Sequence, residues 1–122
     1  LKGAKLIGTN PDITGPSTRG IIPATGSLIA PIEIATDRKA YFVGKPNPLM
    51  LRHGLRILGC HSEEIAFIGD RMDTDIIAGL ESGADTVLVL SGVSTRETIN
   101  TYAYQPTVVL DGVGDIPRLA GQ

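Results

Sequence analysis

Hydrophobic positions along the chain fall into short continuous runs and into stripes with helical spacing. The runs predict strands at residues 4–8, 40–43, 65–68, 86–90 and 108–110. The stripes predict helices at residues 25–36, 48–58, 73–82 and 95–102. Residues 9–23 contain three Pro and two Gly and are predicted to form a long loop.

This order of elements favours one fold class. Strands that alternate with helices predict an α/β fold, in which a parallel sheet is crossed by helices. The continuous apolar run at 65–68 is typical of a strand that is covered on both faces. Ligands of such sheets bind at the carboxyl ends of the strands. Lys45 and Asp70 each follow a predicted strand at that edge.

Composition excludes several classes of protein. The 122 residues include 11 basic and 13 acidic side chains, a formal net charge of −2, which excludes a nucleic-acid binder that relies on positive charge. No run of 18 apolar residues is present, so no membrane span is expected. Cys60 is the single cysteine, which excludes an internal disulfide framework and favours a reducing cytoplasm. We therefore expect a cytoplasmic protein with one domain, or part of one.

Acidic residues cluster around the end of the third predicted strand. Asp70 ends this strand, and Asp75 lies in the first turn of the next predicted helix. Two carboxylates brought together there repel each other unless a cation or a basic side chain lies between them. Oxygen ligands of this kind suit Mg²⁺. The alternative is that these acidic residues only complement the N-terminus of the helix, and their spacing does not decide between the two.

Two further segments carry polar residues after strands. Lys45 lies between Gly and Pro, where its ammonium suits a phosphate oxygen or a carboxylate, although an ordinary surface lysine is the alternative. Residues 9–12, Thr-Asn-Pro-Asp, taken alone predict an Asx-type turn without a ligand.

Together, these segments resemble the haloacid dehalogenase-like (HAD) hydrolase superfamily, and within it the NagD-like or p-nitrophenyl phosphatase-like subfamily. The matching segments, in order, are TNPD at 9–12, TGSLIAPIEIAT at 25–36, YFVGKPNP at 41–48, IGDRMDTDIIAGLESG at 68–83 and TVLVLSGVS at 86–94. The resemblance implies a parallel-sheet, Rossmann-like HAD core of three α/β/α layers that is incomplete, because the nucleophile strand and most of the cap are missing. It implies the end of the cap and a linker loop at 1–22, and the C-terminal part of the core at 23–122.

The resemblance also implies roles for individual residues. Asp70 would ligate Mg²⁺, and Asp75 would ligate the metal or support the site through water or by orienting the lysine. Lys45 would be the family's third-motif lysine, which offsets the charge between nucleophile and phosphate. Lys45 and Asp75 are thus the catalytic candidates. The candidates for binding the substrate are Lys45, Asn10, Asp12 and Thr14.

One part of the family's machinery is absent from this sequence. The reaction needs an Asp-x-Asp at the end of the first core strand, whose first aspartate attacks phosphorus to form an aspartyl phosphate. Here the only Asp-x-Asp is at 73–75, in a predicted helix, and a similar segment at 108–114 has Val109 at the nucleophile position. We interpret the chain as the C-terminal part of such a protein. The strand at 65–68, or its neighbour, should then expose an edge that pairs with a second copy or with the missing N-terminal half.

The expected function is Mg²⁺-dependent hydrolysis of a small phosphorylated metabolite, such as a sugar phosphate, a nucleotide or pyridoxal phosphate. The complete protein would perform it, and this chain alone would be inactive. The alternative is a non-catalytic module that binds phosphate or Mg²⁺. A receiver-like signalling domain also clusters aspartates on a parallel sheet, but it does not predict the GKP and TNPD segments. Neither nucleic acid nor a membrane is expected as a partner.

Overall fold

The structure, a computed structural model, describes residues 2–119. The chain divides into two compact units, Leu1–Met50 and Leu51–Gln122. The sequence predicted a boundary after residue 22, but the residues on both sides of this position belong to the first unit. The assignment of 1–22 to a cap and 23–122 to a core stays a prediction.

The first unit contains a short parallel strand pair, a hairpin and one long helix. Its elements are β1 (Ile7–Gly8), β2 (Thr14–Ser17), β3 (Gly20–Pro23), α1 (Thr25–Thr36) and β4 (Tyr41–Phe42). Strands β1 and β4 run parallel, with Ile7 opposite Tyr41 and Gly8 opposite Phe42. The residues that follow β1 and β4 therefore leave the pair at the same edge.

The predicted loop at 9–23 is wrong in part, because it contains the β2–β3 hairpin. The strands pair antiparallel with Ser17 opposite Gly20, so a two-residue turn joins them. The hydroxyl of Ser17 donates to the carbonyl of Gly20 at 2.9 Å and accepts from Arg19 N–H at 3.2 Å. Gly20 has a φ of +109°, which a residue with a side chain rarely adopts. Proline and glycine within both strands removed the alternating pattern that predicts a hairpin.

The second unit is built on a three-stranded parallel sheet. Its strands are β5 (Ala66–Gly69), β6 (Asp85–Val89) and β7 (Val108–Leu110), in the order β5-β6-β7. The helices are α2 (Pro48–Leu58), α3 (Ile77–Glu81), α4 (Arg96–Ile99) and α5 (Ile116–Leu119), with the boundary between the units falling inside α2. Parallel strands alternating with helices confirm the predicted α/β class.

The apolar core of this unit surrounds its central strand. Leu88 of β6 is fully buried and packs in a cluster with Met72, Ile76 and Ile99. By contrast, β5 pairs with β6 on one side only among residues 2–119, and Ile68 on β5 is 44% exposed. The predicted exposed edge at 65–68 is therefore confirmed for the part of the chain that the structure describes.

Local signals explain most helix boundaries. The side chain of Asn47 accepts from Leu49 N–H at 2.9 Å at the start of α2, and Gly59, with a φ of +68°, follows its end. The helix predicted at 95–102 is shorter than expected and stops at Ile99. The helix predicted at 73–82 begins instead with a π-helical turn, Met72–Ile76, before α3. Within residues 2–119, no helix combines the length and apolar character that crossing a bilayer requires.

Candidate functional site

Asp70 leaves the carboxyl end of β5 and is held on three sides by hydrogen bonds. Its backbone N–H donates to Asp75 Oδ2 at 3.1 Å, and its carbonyl accepts from Ser94 N–H at 2.9 Å. Its carboxylate oxygen Oδ2 accepts from Val93 N–H at 2.9 Å. The Asp70 carboxylate is therefore fixed through one oxygen and can offer the second to a ligand.

Asp75 lies beneath this strand end and is only 2% exposed. Its Oδ2 accepts from Asp70 N–H and from Arg71 N–H, both at 3.1 Å. The π-helical turn brings Asp75 back to the strand, with Asp75 N–H and Ile76 N–H both donating to the Arg71 carbonyl. A buried carboxylate is retained where polar donors satisfy it. The structure thus brings the two predicted carboxylates together, with Asp75 bonded to the backbone that carries Asp70.

Two glycines allow this close approach. A Cβ added at Gly69 would collide with the side chain of Asp75, and one added at Gly92 would collide with the carboxylate of Asp70. Neither glycine has a positive φ, so space rather than backbone conformation requires the missing side chain. Any larger residue at position 69 or 92 has to displace one of the two carboxylates.

Two buried or half-buried polar side chains that the sequence did not predict brace the π-helical turn. The Ser94 hydroxyl accepts from Met72 N–H at 3.2 Å, and the Tyr104 hydroxyl donates to the Met72 carbonyl at 2.9 Å. Burial raises the pKa of Tyr104, with the nearby Tyr102 adding to the effect. The signal that could have found Ser94 is its place in a polar segment directly after a buried strand, the position where site residues of parallel sheets gather.

Arg71 and Asp73 form an ion pair beside the same turn. Arg71 Nε and Nη2 donate to the two carboxylate oxygens of Asp73 at 3.0 and 2.7 Å. This two-pronged hydrogen bond lowers the pKa of Asp73 below its ordinary value, against the effect of partial burial. The Arg71 guanidinium is thus engaged by Asp73.

Lys45 belongs to the first unit and follows the carboxyl end of β4. Directly before it, Gly44 N–H donates to the carbonyl of Thr9 at 2.7 Å, and a Cβ at Gly44 would collide with that same carbonyl. The peptide bond between Lys45 and Pro46 is cis. The backbone of the GKP segment is thus placed against the residues that follow β1.

The TNPD segment lies at this same edge of the first unit. The Asn10 side chain accepts from Asp12 N–H at 3.2 Å, which is the predicted Asx turn, and the Asp12 carbonyl accepts from Gly26 N–H at 2.8 Å. Thr14 lies farther on, at the first position of β2 and opposite Pro23. The structure brings the segments of Asn10 and Lys45 together through Thr9 and Gly44, and the substrate-binding roles of Asn10, Asp12, Thr14 and Lys45 stay predictions.

Comparison with known proteins identifies the family. A family profile described as HAD-hydrolase-like matches residues 42–116, which begin within β4 and include the whole three-stranded parallel sheet and both carboxylates. The chain belongs to the HAD-like hydrolases. This result confirms the family that the motifs resembled.

Individual HAD-like relatives extend this similarity over nearly the whole chain. The dihydroxyacetone phosphatase of Corynebacterium glutamicum is 53% identical over 116 residues, covering 95% of this chain and 42% of the relative. The ribonucleotide monophosphatase NagD of Escherichia coli is 44% identical over 93% of the chain and 44% of its own length. A 4-nitrophenylphosphatase from Thermotoga maritima superposes with a TM-score of 0.89 at 37% identity, covering 96% of this chain and 45% of the other. The chain therefore spans less than half the length of these relatives.

The donor set of the second unit can supply part of a metal site. Within residues 2–119, no group of three or more His, Cys, Asp or Glu side chains comes together to hold a metal ion. Mg²⁺, however, commonly takes only one or two protein carboxylates and completes its shell with water and phosphate oxygens. Asp70 Oδ1 fits that requirement, since its partner oxygen is already anchored by Val93 N–H. The metal roles of Asp70 and Asp75 stay predictions.

Proposed function

We propose that this chain is part of a Mg²⁺-dependent phosphatase that hydrolyses a small phosphorylated metabolite through an aspartyl-phosphate intermediate. The observation that carries the proposal is the anchored Asp70 carboxylate at the carboxyl end of β5 in a HAD-like hydrolase. Relatives named as dihydroxyacetone, ribonucleotide and acid sugar phosphatases support the substrate class. Sugar phosphates, nucleotides and pyridoxal phosphate remain the candidate substrates.

Each residue has a distinct role in this proposal. Asp70 presents Oδ1 to the cation, and Asp75 keeps the backbone of Asp70 and Arg71 in place. When bound, Mg²⁺ would withdraw negative charge from the phosphoryl oxygens. Lys45 adds a second positive charge for the phosphate, while Asn10, Asp12 and Thr14 contact the leaving group. The attacking aspartate comes from residues outside this sequence.

The edge of β5 supports the proposal that further residues complete the site. Parallel sheets of this kind gather their site residues at adjacent strand ends. Among residues 2–119, β5 pairs with a strand on one side only and Ile68 is 44% exposed, which supports pairing of another strand with this edge. We propose that a strand of the complete protein, or of a second copy, pairs here and carries the nucleophile.

Hydrolysis of p-nitrophenyl phosphate by the complete natural protein tests this function. Asp70→Asn should lower the Mg²⁺-dependent kcat/KM by about 100-fold or more, because charge stabilisation by a metal contributes several kcal/mol to the transition state. The matched control is Asp85→Asn, since Asp85 is an exposed carboxylate at the opposite end of the sheet, where β6 begins. Full Mg²⁺-dependent activity in Asp70→Asn would contradict the role of Asp70. Metal binding without hydrolysis of any phosphate monoester would favour the non-catalytic module.

A further inference from the structure

The segment after β6, residues 92–94, contacts both the backbone and the carboxylate of Asp70. Ser94 N–H bonds to the Asp70 carbonyl at 2.9 Å, and Val93 N–H bonds to Asp70 Oδ2 at 2.9 Å. Gly92 lies so near the same carboxylate that a Cβ there would collide with it. Three consecutive residues therefore restrict where the Asp70 carboxylate can lie.

Ser94 also connects this segment to the start of the π-helical turn. The residue is 3% exposed, and its hydroxyl accepts from Met72 N–H, a group near the N-terminus of the turn. Arg71, which precedes the turn, provides no side-chain cap. Because the first N–H groups of a helical turn lack partners within it, a cap from elsewhere has to satisfy them. Ser94 supplies that cap from 22 residues away.

We infer that Ser94 is a positioning residue for the metal-binding carboxylate of Asp70. It fixes the backbone on both sides of Arg71, with its N–H on the Asp70 carbonyl and its hydroxyl on Met72 N–H. The neighbouring Val93 N–H donates to Asp70 Oδ2, so that Oδ1 would be the oxygen that holds the cation. This inference rests on the proposed function, because it assigns Ser94 to the site in which Asp70 binds Mg²⁺.

Measurement of Mg²⁺ binding to the complete natural protein tests the inference without any activity assay. Isothermal titration calorimetry gives the Kd for Mg²⁺, and electron paramagnetic resonance of bound Mn²⁺ checks it. The unsubstituted protein should bind the cation, and Asp70→Asn should lose this binding. Ser94→Ala should then raise the Kd for Mg²⁺ by about 10-fold or more, the usual effect of removing a group that orients a metal ligand. Ser94→Thr keeps the hydroxyl and should restore most of the affinity.

Thr86→Val is the matched control for a purely structural effect. Thr86 is also fully buried, and its hydroxyl accepts from Thr107 N–H at 3.0 Å, but it lies at the start of β6, away from the carboxyl edge. Both substitutions remove a buried hydroxyl acceptor and should lower Tm, whereas only Ser94→Ala should weaken Mg²⁺ binding. An unchanged Kd in folded Ser94→Ala would overturn the inference.

Gly92→Ala provides a second test if Ser94→Ala does not fold. Its added Cβ pushes against the Asp70 carboxylate, so it should also raise the Kd for Mg²⁺ by about 10-fold. Wild-type affinity in Gly92→Ala would show that this segment does not control Asp70 and would overturn the inference. Failure of the proposed function gives a different result, because Asp70→Asn would then bind Mg²⁺ as well as the unsubstituted protein.

Discussion

Replacing Asp75 with alanine should destabilise the second unit by an amount that the structure defines. Asp75 is 2% exposed, and its Oδ2 accepts two backbone hydrogen bonds, from Asp70 and Arg71, each at 3.1 Å. A hydrogen bond to a charged group contributes about 1.5–3 kcal/mol to stability. Both donors belong to half-buried residues, so water can hydrogen-bond to the two N–H groups and offset part of the lost free energy. We expect Asp75→Ala to lower the free energy of unfolding by about 2–4 kcal/mol.

Urea denaturation at pH 7, followed by circular dichroism, measures this loss. Asp73→Ala is the control, because Asp73 is an acidic residue of the same turn whose side chain is 47% exposed and bonded to Arg71. Surface ion pairs contribute about 0–1 kcal/mol, so its effect should be small. Asp75→Asn keeps an oxygen acceptor without the charge, so its free energy of unfolding should lie between those of Asp75→Ala and Asp73→Ala. A free energy of unfolding for Asp75→Ala equal to that of Asp73→Ala would refute the claim that Asp75 stabilises the end of β5 through its hydrogen bonds to Asp70 and Arg71.

Further substitutions test packing and charge. Gly54→Ala should raise the free energy of unfolding by about 0.5–1 kcal/mol, because it lies inside α2 with open space around the added methyl group. Gly79→Ala should lower it by about 1–3 kcal/mol, because the added Cβ would lie 2.5 Å from Thr86 Cγ2. Asp73→Asn should lower it by about 0.5 kcal/mol at pH 7. Since the Arg71 pair lowers the pKa of Asp73, this stabilisation is present above the ordinary value of 3.8 and disappears as pH falls below it.

Each of these effects has a clear contrary result. If urea denaturation gave Gly54→Ala a lower free energy of unfolding than Gly79→Ala, this result would contradict the packing described around α2 and α3. For the ion pair, the difference between wild type and Asp73→Asn is measured from pH 7 down to pH 3. A difference that grows as the pH falls would contradict the lowered pKa of Asp73.

The sequence predicted the second unit well because its signals are local. Continuous apolar runs marked β5, β6 and β7 at nearly their observed positions, and Asn47 and Gly59 marked both ends of α2. The proximity of Asp70 and Asp75 was also predictable, since one ends a strand and the other lies in the turn that follows. Residues close in sequence at a strand end have few alternative arrangements.

The bracing of the site could not be predicted in the same way. Ser94 and Tyr104 contact Met72 across separations of 22 and 32 residues, so their roles depend on tertiary packing. Val93 acts on Asp70 through its backbone N–H, which the identity of its side chain does not reveal. The β2–β3 hairpin was missed because its strands carry Pro16 and Pro23, residues that normally disfavour strands.

The central claim, that Asp70 holds a divalent cation at the carboxyl edge of β5, is tested most directly by crystallography. Crystals of the complete natural protein grown with Mn²⁺ in place of Mg²⁺ would show the cation by its anomalous scattering. We expect a peak about 2 Å from Asp70 Oδ1, while Oδ2 keeps its hydrogen bond to Val93 N–H. A fully occupied Mn²⁺ site that does not include Asp70, or no site at saturating Mn²⁺, would contradict the account.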